Sequence, residues 1–149
     1  PDDNITRAEF VKILSGVAGA DLSKYTYSSF ADVKESDWFA PAVAWAAEVG
    51  VTKGVGGNNF APNAKITRED MAVMILRFAD KMGYTLSEKV EPAEFSDQKD
   101  IADYAKEAVS KMQKAGIISG KPNNIFDPKG SATRAEASKM IAVLLQIIG

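Results

Sequence analysis

The chain has 149 residues, of which 46% are apolar, so it can form one compact domain or a few small repeats that share a core. It contains no histidine and no cysteine, which excludes an imidazole base, a thiol nucleophile, a Cys/His zinc site and a disulfide scaffold. With 18 basic and 20 acidic residues, its net charge of -2 gives no general attraction to nucleic acid or to an anionic membrane.

One short motif occurs three times in the chain. The copies read ITRAEF at residues 5–10, ITREDM at residues 66–71 and ATRAEA at residues 132–137. Such self-similarity predicts tandem repeats, and each copy opens a stretch with the apolar spacing of a helix.

In chain order, the sequence predicts a helix after the first motif, a polar connector at about 20–29, and then two copies of a longer unit separated by a connector at about 84–94. Each longer unit reads Phe-x-Asp, a first helix, a glycine stop, Phe-x-Pro, and a second helix that begins at Thr-Arg. The stripes of the second helices are Phe10, Ile13, Leu14 and Val17; Met71, Met74, Ile75 and Phe78; and Ala137, Met140, Ile141 and Leu144.

These stripes predict an all-α fold of helix-loop-helix repeats around a central three-helix bundle. We assign residues 1–25 to the second half of repeat 1, residues 26–88 to repeat 2 and residues 89–149 to repeat 3. Because residue 1 is Pro and repeat 1 lacks its upstream half, we expect an excised piece, or a second chain or homo-oligomer that completes repeat 1. The apolar runs are shorter than the roughly 20 residues that span a bilayer.

The threonine and the acidic residue of the motif match a capping box. In this box the threonine hydroxyl accepts from the third helical amide, and the acidic side chain accepts from the amide of the threonine. The cap alone contributes about 1 kcal/mol and requires no ligand. The predicted capping pairs are Thr6 and Glu9, Thr67 and Asp70, and Thr133 and Glu136.

Capping does not explain the arginine between them, because the helix dipole disfavours a cation at the first helical position by about 0.3–1 kcal/mol. One interpretation is an anion at the helix start, held by the arginine and the free helix amides. The other is a salt bridge to a carboxylate such as Asp32 or Asp97. The sequence alone leaves both interpretations open.

Two aromatic residues and two glycines also occupy matching positions in repeats 2 and 3. Trp38 and Tyr104 either stack on a sugar face or plug the space between helices. Gly54 and Gly120 either let a ligand approach the backbone or supply a positive φ angle to a turn.

The carboxylates show no pattern of a catalytic or metal site. A glycosidase needs two placed acids, and no two acids here share an apolar setting. The acids at Asp2, Asp3 and Asp127 lack the spacing of a calcium-binding loop. We therefore expect no enzyme activity, no catalytic residue, no metal and no cofactor.

The order and spacing of the motifs resemble tandem S-layer homology domains over essentially the whole chain. The motifs that carry the resemblance are FADV at 30–33, DW at 37–38, GVTKG at 50–54, FAP at 60–62 and ITR at 66–68, and then FSD at 95–97, GIISG at 116–120, FDP at 126–128 and TRAE at 133–136. The sequence departs from the family pattern at Tyr104, which replaces a tryptophan, and at Glu69-Asp70, which adds negative charge beside Arg68.

The resemblance implies a pseudo-threefold module that anchors a secreted protein noncovalently to the bacterial cell wall. Its implied partner is a secondary cell wall polysaccharide, commonly with pyruvate ketals, which binds in grooves between repeats. An alternative function is a structural self-assembly module that mediates surface-lattice or homo-oligomer contacts. The implied carbohydrate-binding residues are Arg7, Arg68, Arg134, Trp38, Gly54 and Gly120.

Overall fold

The structure, a computed structural model, describes residues 3–26, 28–91 and 94–148. Within these residues it contains five α-helices and isolated β-bridges but no strand, which confirms the predicted all-α fold. The same residues include no helix with the length and apolar character needed to cross a membrane. The helices are α1 (Arg7–Ala18), α2 (Ala40–Val49), α3 (Arg68–Met82), α4 (Asp103–Lys114) and α5 (Arg134–Ile148).

The helices begin and end where the local sequence directs them. The second helix of each repeat starts at the arginine of the motif, directly after the threonine. The first helix of repeat 2 ends at Gly50, whose φ of 92° reverses the chain in the left-handed region. In repeat 3, Gly116 follows the last turn of α4 and also has a positive φ, of 76°.

The helices that pack side by side come from neighbouring repeats. The first helix of repeat 2, α2, lies against α1 of repeat 1, and α4 of repeat 3 lies against α3 of repeat 2. Within repeat 2, α2 contacts α3 through the Trp45 and Phe78 rings, whose centroids are 6.3 Å apart. Each repeat therefore depends on its neighbour for much of its core.

Most of the predicted stripe residues are buried in a single core cluster, and Ile13 is the clear exception. Its side chain is 36% exposed, whereas Val11 is fully buried. The prediction for Ile13 is wrong because the contact of α1 with α2 and α3 turns the face that contains Ala8, Val11 and Ser15 towards the core. Val17 is partly buried at the edge of the cluster.

The three motifs meet in a closed ring of backbone hydrogen bonds. The Ile5 amide donates to the Ala132 carbonyl at 3.1 Å, and the Ala132 amide donates to the Ile66 carbonyl at 2.9 Å. The Ile66 amide completes the ring by donating to the Ile5 carbonyl at 3.0 Å. The ring brings the starts of α1, α3 and α5 together, while the pseudo-threefold relation of whole repeats stays a prediction.

Candidate functional site

The first amides of α1, α3 and α5 are hydrogen-bonded to carbonyl groups of another repeat. These amides are consequently not available to an anion, so the interpretation that free helix amides help to hold one is wrong for them. The donor and acceptor pairs are Arg7 and Ala64 (3.0 Å), Ala8 and Pro62 (3.0 Å), Arg68 and Gly130 (2.9 Å), Glu69 and Pro128 (3.1 Å), and Arg134 and Asp3 (2.8 Å).

The third amide of each of these helices donates to the threonine. In α1, Glu9 N donates to Thr6 Oγ1 at 3.1 Å, and Thr6 N donates to Glu9 Oε1 at 2.9 Å. Thr133 and Glu136 make the same two bonds at 3.0 Å. These two pairs have the geometry of a capping box. In α3 only half of the box forms, because Asp70 N donates to Thr67 Oγ1 at 3.2 Å whereas the Asp70 carboxylate contacts Arg7 and Tyr104.

The arginine of repeat 1 is buried, with only 5% of its surface exposed. Arg7 Nε donates to the Phe60 carbonyl at 2.9 Å, and the guanidinium lies 4.9 Å from the centroid of the Phe60 ring. Its Nη1 is 3.4 Å from Asp70 Oδ2. Burial lowers the pKa of Arg7, and the nearby Asp70 charge acts in the opposite direction.

Arg68 repeats this arrangement one unit further along the chain. Its Nε donates to the Phe126 carbonyl at 2.7 Å, and its guanidinium lies 5.1 Å from the Phe126 ring centroid. Its Nη1 forms an ion pair with Glu136. Burial lowers the pKa of Arg68 as well.

Arg134 forms the corresponding ion pair, with Glu9, but its side chain is 46% exposed. The hydrogen bond to Glu9 raises the pKa of Arg134. Each arginine therefore pairs with the third residue of the second helix of another repeat, and the three pairs form a cycle.

Asp32 and Asp97, which we considered as partners of the arginines, bind backbone amides instead. Asp97 accepts from the amides of Phe126 at 2.9 Å and Asp127 at 2.8 Å. Asp32 makes the matching bonds to Phe60 and Ala61. The salt-bridge interpretation is correct in kind for these arginines, but its suggested partners are wrong.

The extra acidic residue of repeat 2 points away from Arg68. Glu69 is 2% exposed, and its Oε1 accepts from the Ala102 amide at 3.0 Å at the start of α4. Its Oε2 contacts Lys129 Nζ at 2.6 Å and the Tyr104 hydroxyl at 3.3 Å. Glu69 thus connects α3 to the repeat that follows it.

A groove of about 410 Å³ lies where the three repeats meet, and we name it the first groove. Repeat 1 contributes Arg7, the loop and second helix of repeat 2 form most of its wall, and repeat 3 contributes Tyr104. The lining residues are Arg7, Thr52, Lys53, Gly54, Val55, Asp70, Val73, Met74, Arg77 and Tyr104.

The second groove has a volume of about 200 Å³ and repeats this plan one unit later. Arg68 takes the place of Arg7, and Glu136 takes the place of Asp70. The lining residues are Arg68, Ile117, Ile118, Ser119, Gly120, Lys121, Glu136, Lys139 and Met140.

The two predicted glycines line one groove each, and each is also required by the packing of its loop. Gly54 has a φ of 82°, and a Cβ there would lie 2.5 Å from the Asn59 carbonyl oxygen. Gly120 has no positive φ, but a Cβ there would lie 2.9 Å from the Phe95 ring. The turn interpretation therefore applies to Gly54, whereas close approach of a ring explains Gly120.

The two aromatic residues are exposed, so neither is a buried plug between helices. Tyr104 is 61% exposed and lines the first groove, and its hydroxyl donates to Asp70 Oδ1 at 2.6 Å. Desolvation of the hydroxyl group, followed by that hydrogen bond, raises the pKa of Tyr104, although most of the side chain is exposed. Trp38 is 62% exposed, but neither groove includes it.

The sequence interpretation missed four basic residues that line the grooves. Lys53 precedes Gly54 in the first groove, and Arg77 lies on the same face of α3 as Asp70, two turns later. In the second groove the missed residues are Lys121, which follows Gly120, and Lys139 on α5. A helical projection from Asp70 would have found Arg77. Of the residues that the structure describes, no group of acidic side chains forms a metal site.

Comparisons with known proteins match this chain over the residues that contain the motifs. A family profile for the S-layer homology domain matches residues 29–72 and 94–138. An amylopullulanase of Thermoanaerobacterium thermosulfurigenes is 40% identical over 100% of this chain, which spans 8% of that protein. A cellulosome-anchoring protein of Acetivibrio thermocellus is 32% identical over 95% of the chain, which spans 32% of it.

An S-layer protein of Bacillus thuringiensis subsp. finitimus is also 32% identical over 95% of the chain, which spans 17% of that protein. The chain thus corresponds to a minor part of each of these relatives. The profile match covers more than half of the chain and both longer repeats, so the chain belongs to the S-layer homology domain family, as its motifs predicted.

Proposed function

We propose that this domain anchors a surface protein by binding an anionic cell wall polysaccharide in its two grooves. The observation that carries the proposal is their charge. Three cations and one acid line the first groove, although the whole chain has a net charge of -2. The second groove has the same balance, with Arg68, Lys121 and Lys139 against Glu136.

The first groove also has the other features that a sugar requires. Tyr104 presents an exposed ring at its rim, and its hydroxyl is held by Asp70. An aromatic face of this kind packs on the apolar side of a sugar ring. Gly54 lies in the loop beside Lys53, and Val73 and Met74 contribute apolar atoms to the lining of the groove. A pyruvate ketal supplies both a carboxylate for the cations and a methyl group for the apolar wall.

The cellular location of the proteins that contain this domain supports an anchoring role. S-layer homology domains occur in secreted proteins of the bacterial cell surface, and relatives of this chain include an S-layer protein and a cellulosome-anchoring protein. The enzyme among these relatives matches over only 8% of its length. We therefore assign this domain a binding role without catalysis.

The third interface, between Arg134 and Glu9, differs from the two grooves. Arg134 remains 46% exposed, because no aromatic ring or carbonyl group in the described residues takes the place that Phe60 has beside Arg7. Trp38 occupies the repeat position of Tyr104 and lies on the unit whose helix packs against α1. We assign Arg134 and Trp38 to a third, incomplete binding site.

Cosedimentation with purified cell wall sacculi tests this function. We expect the domain to sediment with intact sacculi and to remain in solution after the wall polysaccharide has been extracted chemically. Free polysaccharide should compete for binding. Analytical ultracentrifugation of the domain alone serves as the control for self-association.

Retention on sacculi that have lost their polysaccharide would contradict the proposal. If such retention coincided with assembly of the domain into large oligomers, the alternative of a self-assembly module would replace carbohydrate binding.

A further inference from the structure

The arginine of the motif already has internal partners in both grooves. In the first groove, Arg7 bonds the Phe60 carbonyl, covers its ring and faces Asp70. Only 6% of its side chain is exposed, so a ligand in the groove meets little of its guanidinium. Its positive charge is also balanced by the carboxylate beside it. Arg7 therefore adds little uncompensated charge to the groove.

Two other cations in the first groove have no such partner. Arg77 is half-buried on α3, and Lys53 is exposed on the loop at Gly54. Neither side chain forms a hydrogen bond or an ion pair with any residue that the structure describes. The loop that positions Lys53 is fixed, because the Gly54 amide donates to Thr52 Oγ1 at 3.1 Å and the Val55 amide donates to Asn59 at 2.8 Å.

We propose that Arg77 and Lys53 bind the acidic group of the sugar in the first groove, and that Arg7 is a positioning residue that holds Phe60 and Asp70 in place. This inference rests on the proposed function and divides the roles within one of its sites. A half-buried guanidinium without a partner retains its full capacity for charge-assisted hydrogen bonds to a carboxylate.

In the second groove, the cation without a partner lies at a different position along the second helix. Lys121 is 3.0 Å from Asp127, so Lys139 is the cation of this groove without a partner among the described residues. In the repeat alignment, Lys139 matches Val73, and Arg77 matches Val143. Because these positions differ by one helical turn, or about 6 Å, the two grooves should hold the acidic group at different heights.

Groove-specific NMR titration can test this division of roles. The probe is an oligosaccharide fragment released from purified wall polysaccharide, and the amide signals of Gly54 and Gly120 report on the first and second grooves. We expect Arg77→Gln and Lys53→Gln each to weaken the titration at Gly54 about 10-fold and to leave Gly120 unchanged. Lys139→Gln should weaken the titration at Gly120 and leave Gly54 unchanged. Lys99→Gln, on the exposed surface, should change neither titration.

A fragment whose carboxylates have been reduced to alcohols separates charge from positioning. Wild-type protein should prefer the charged fragment at Gly54 by about 10-fold or more. Arg77→Gln and Lys53→Gln should reduce this preference. Arg7→Gln should lower the melting temperature and weaken both fragments alike, with the preference kept.

The outcomes distinguish this inference from the proposed function. If the wild-type signals of Gly54 and Gly120 do not respond to the charged fragment, the proposed function is wrong. If the wild type responds, and Arg77→Gln and Lys53→Gln bind with full affinity and preference, the division of roles is wrong while the function stands. If Arg7→Gln alone lost the preference for the charged fragment, Arg7 would be the residue that binds the acidic group.

Discussion

At the scale of single residues, the arginine of the motif makes two kinds of contact that stabilise the fold. Arg7 and Arg68 each bond the carbonyl of a buried phenylalanine and face a carboxylate of the next repeat. Hydrogen bonds to a charged group contribute about 1.5–3 kcal/mol, which exceeds the helix-dipole cost of about 0.3–1 kcal/mol. The fold itself therefore explains a cation at these helix starts.

Asp97 gives the domain a predictable sensitivity to acid. Burial opposes its ionisation, but hydrogen bonds from the Phe126 and Asp127 amides, together with the charge of Arg68, outweigh this effect and lower the pKa of Asp97. Since the folded-state pKa lies below the unfolded value of about 3.9, the stabilisation is complete above that value and is lost as the pH falls through the folded pKa.

We therefore expect Asp97→Asn to lower the free energy of unfolding by about 1.5–3 kcal/mol near neutral pH. The deficit relative to wild type should shrink as the pH falls below about 4. Urea unfolding over a pH series measures both quantities, with Asp100→Asn as an exposed control in the same segment. A deficit that stays constant down to strong acid would contradict this account of Asp97.

At the scale of the helices, the fold depends on contacts between repeats. The first helix of one repeat packs on the second helix of the repeat before it, and Glu69 supports one of these pairs by binding the Ala102 amide at the start of α4. The equivalent residues, Ala8 and Ala135, show that the other repeats do without this carboxylate. Glu69 is thus a specific connection between α3 and α4.

Removal of this connection should destabilise the domain. We expect Glu69→Ala to lower the free energy of unfolding by about 1.5–3 kcal/mol, because the Ala102 amide loses its acceptor and Lys129 loses its partner. Glu107→Ala, which removes an exposed carboxylate from α4, should change it by less than about 0.5 kcal/mol. Equal effects of the two variants in urea unfolding would show that Glu69 has no special role.

The sequence predicted the helices well because their signals are local. Apolar spacing, threonine caps and glycine stops each act within a few residues. The partner of each helix could not be predicted in this way, because packing between repeats is decided by contacts far apart in the chain. Ile13 illustrates the limit, since its spacing fits the stripe while the contact with α2 turns it to the surface.

At the scale of the whole molecule, each groove is formed by residues from more than one repeat. The backbone ring at Ile5, Ile66 and Ala132 brings the three motifs together, and the first groove takes residues from all three repeats. A single repeat therefore cannot form this site, so binding and folding of the domain are coupled.

Comparison of the repeats identified the part of the candidate site that the repeats share, and it missed the basic residues that differ between them. It selected Arg7 and Gly54 because matching residues occur in other repeats. It passed over Arg77 and Lys139 because each is matched by a valine, at 143 and 73. Residues that differ between repeats are those that make one groove unlike another, and only the folded chain brings them beside the shared residues.

The central claim is that the grooves recognise an acidic wall polysaccharide. Isothermal titration calorimetry with purified polysaccharide fragments, before and after mild acid has removed their ketal groups, tests it most directly. The account predicts binding to the intact fragments at both grooves and an affinity at least about 10-fold lower after ketal removal. Equal affinity for the two preparations, or no heat of binding with either, would contradict it.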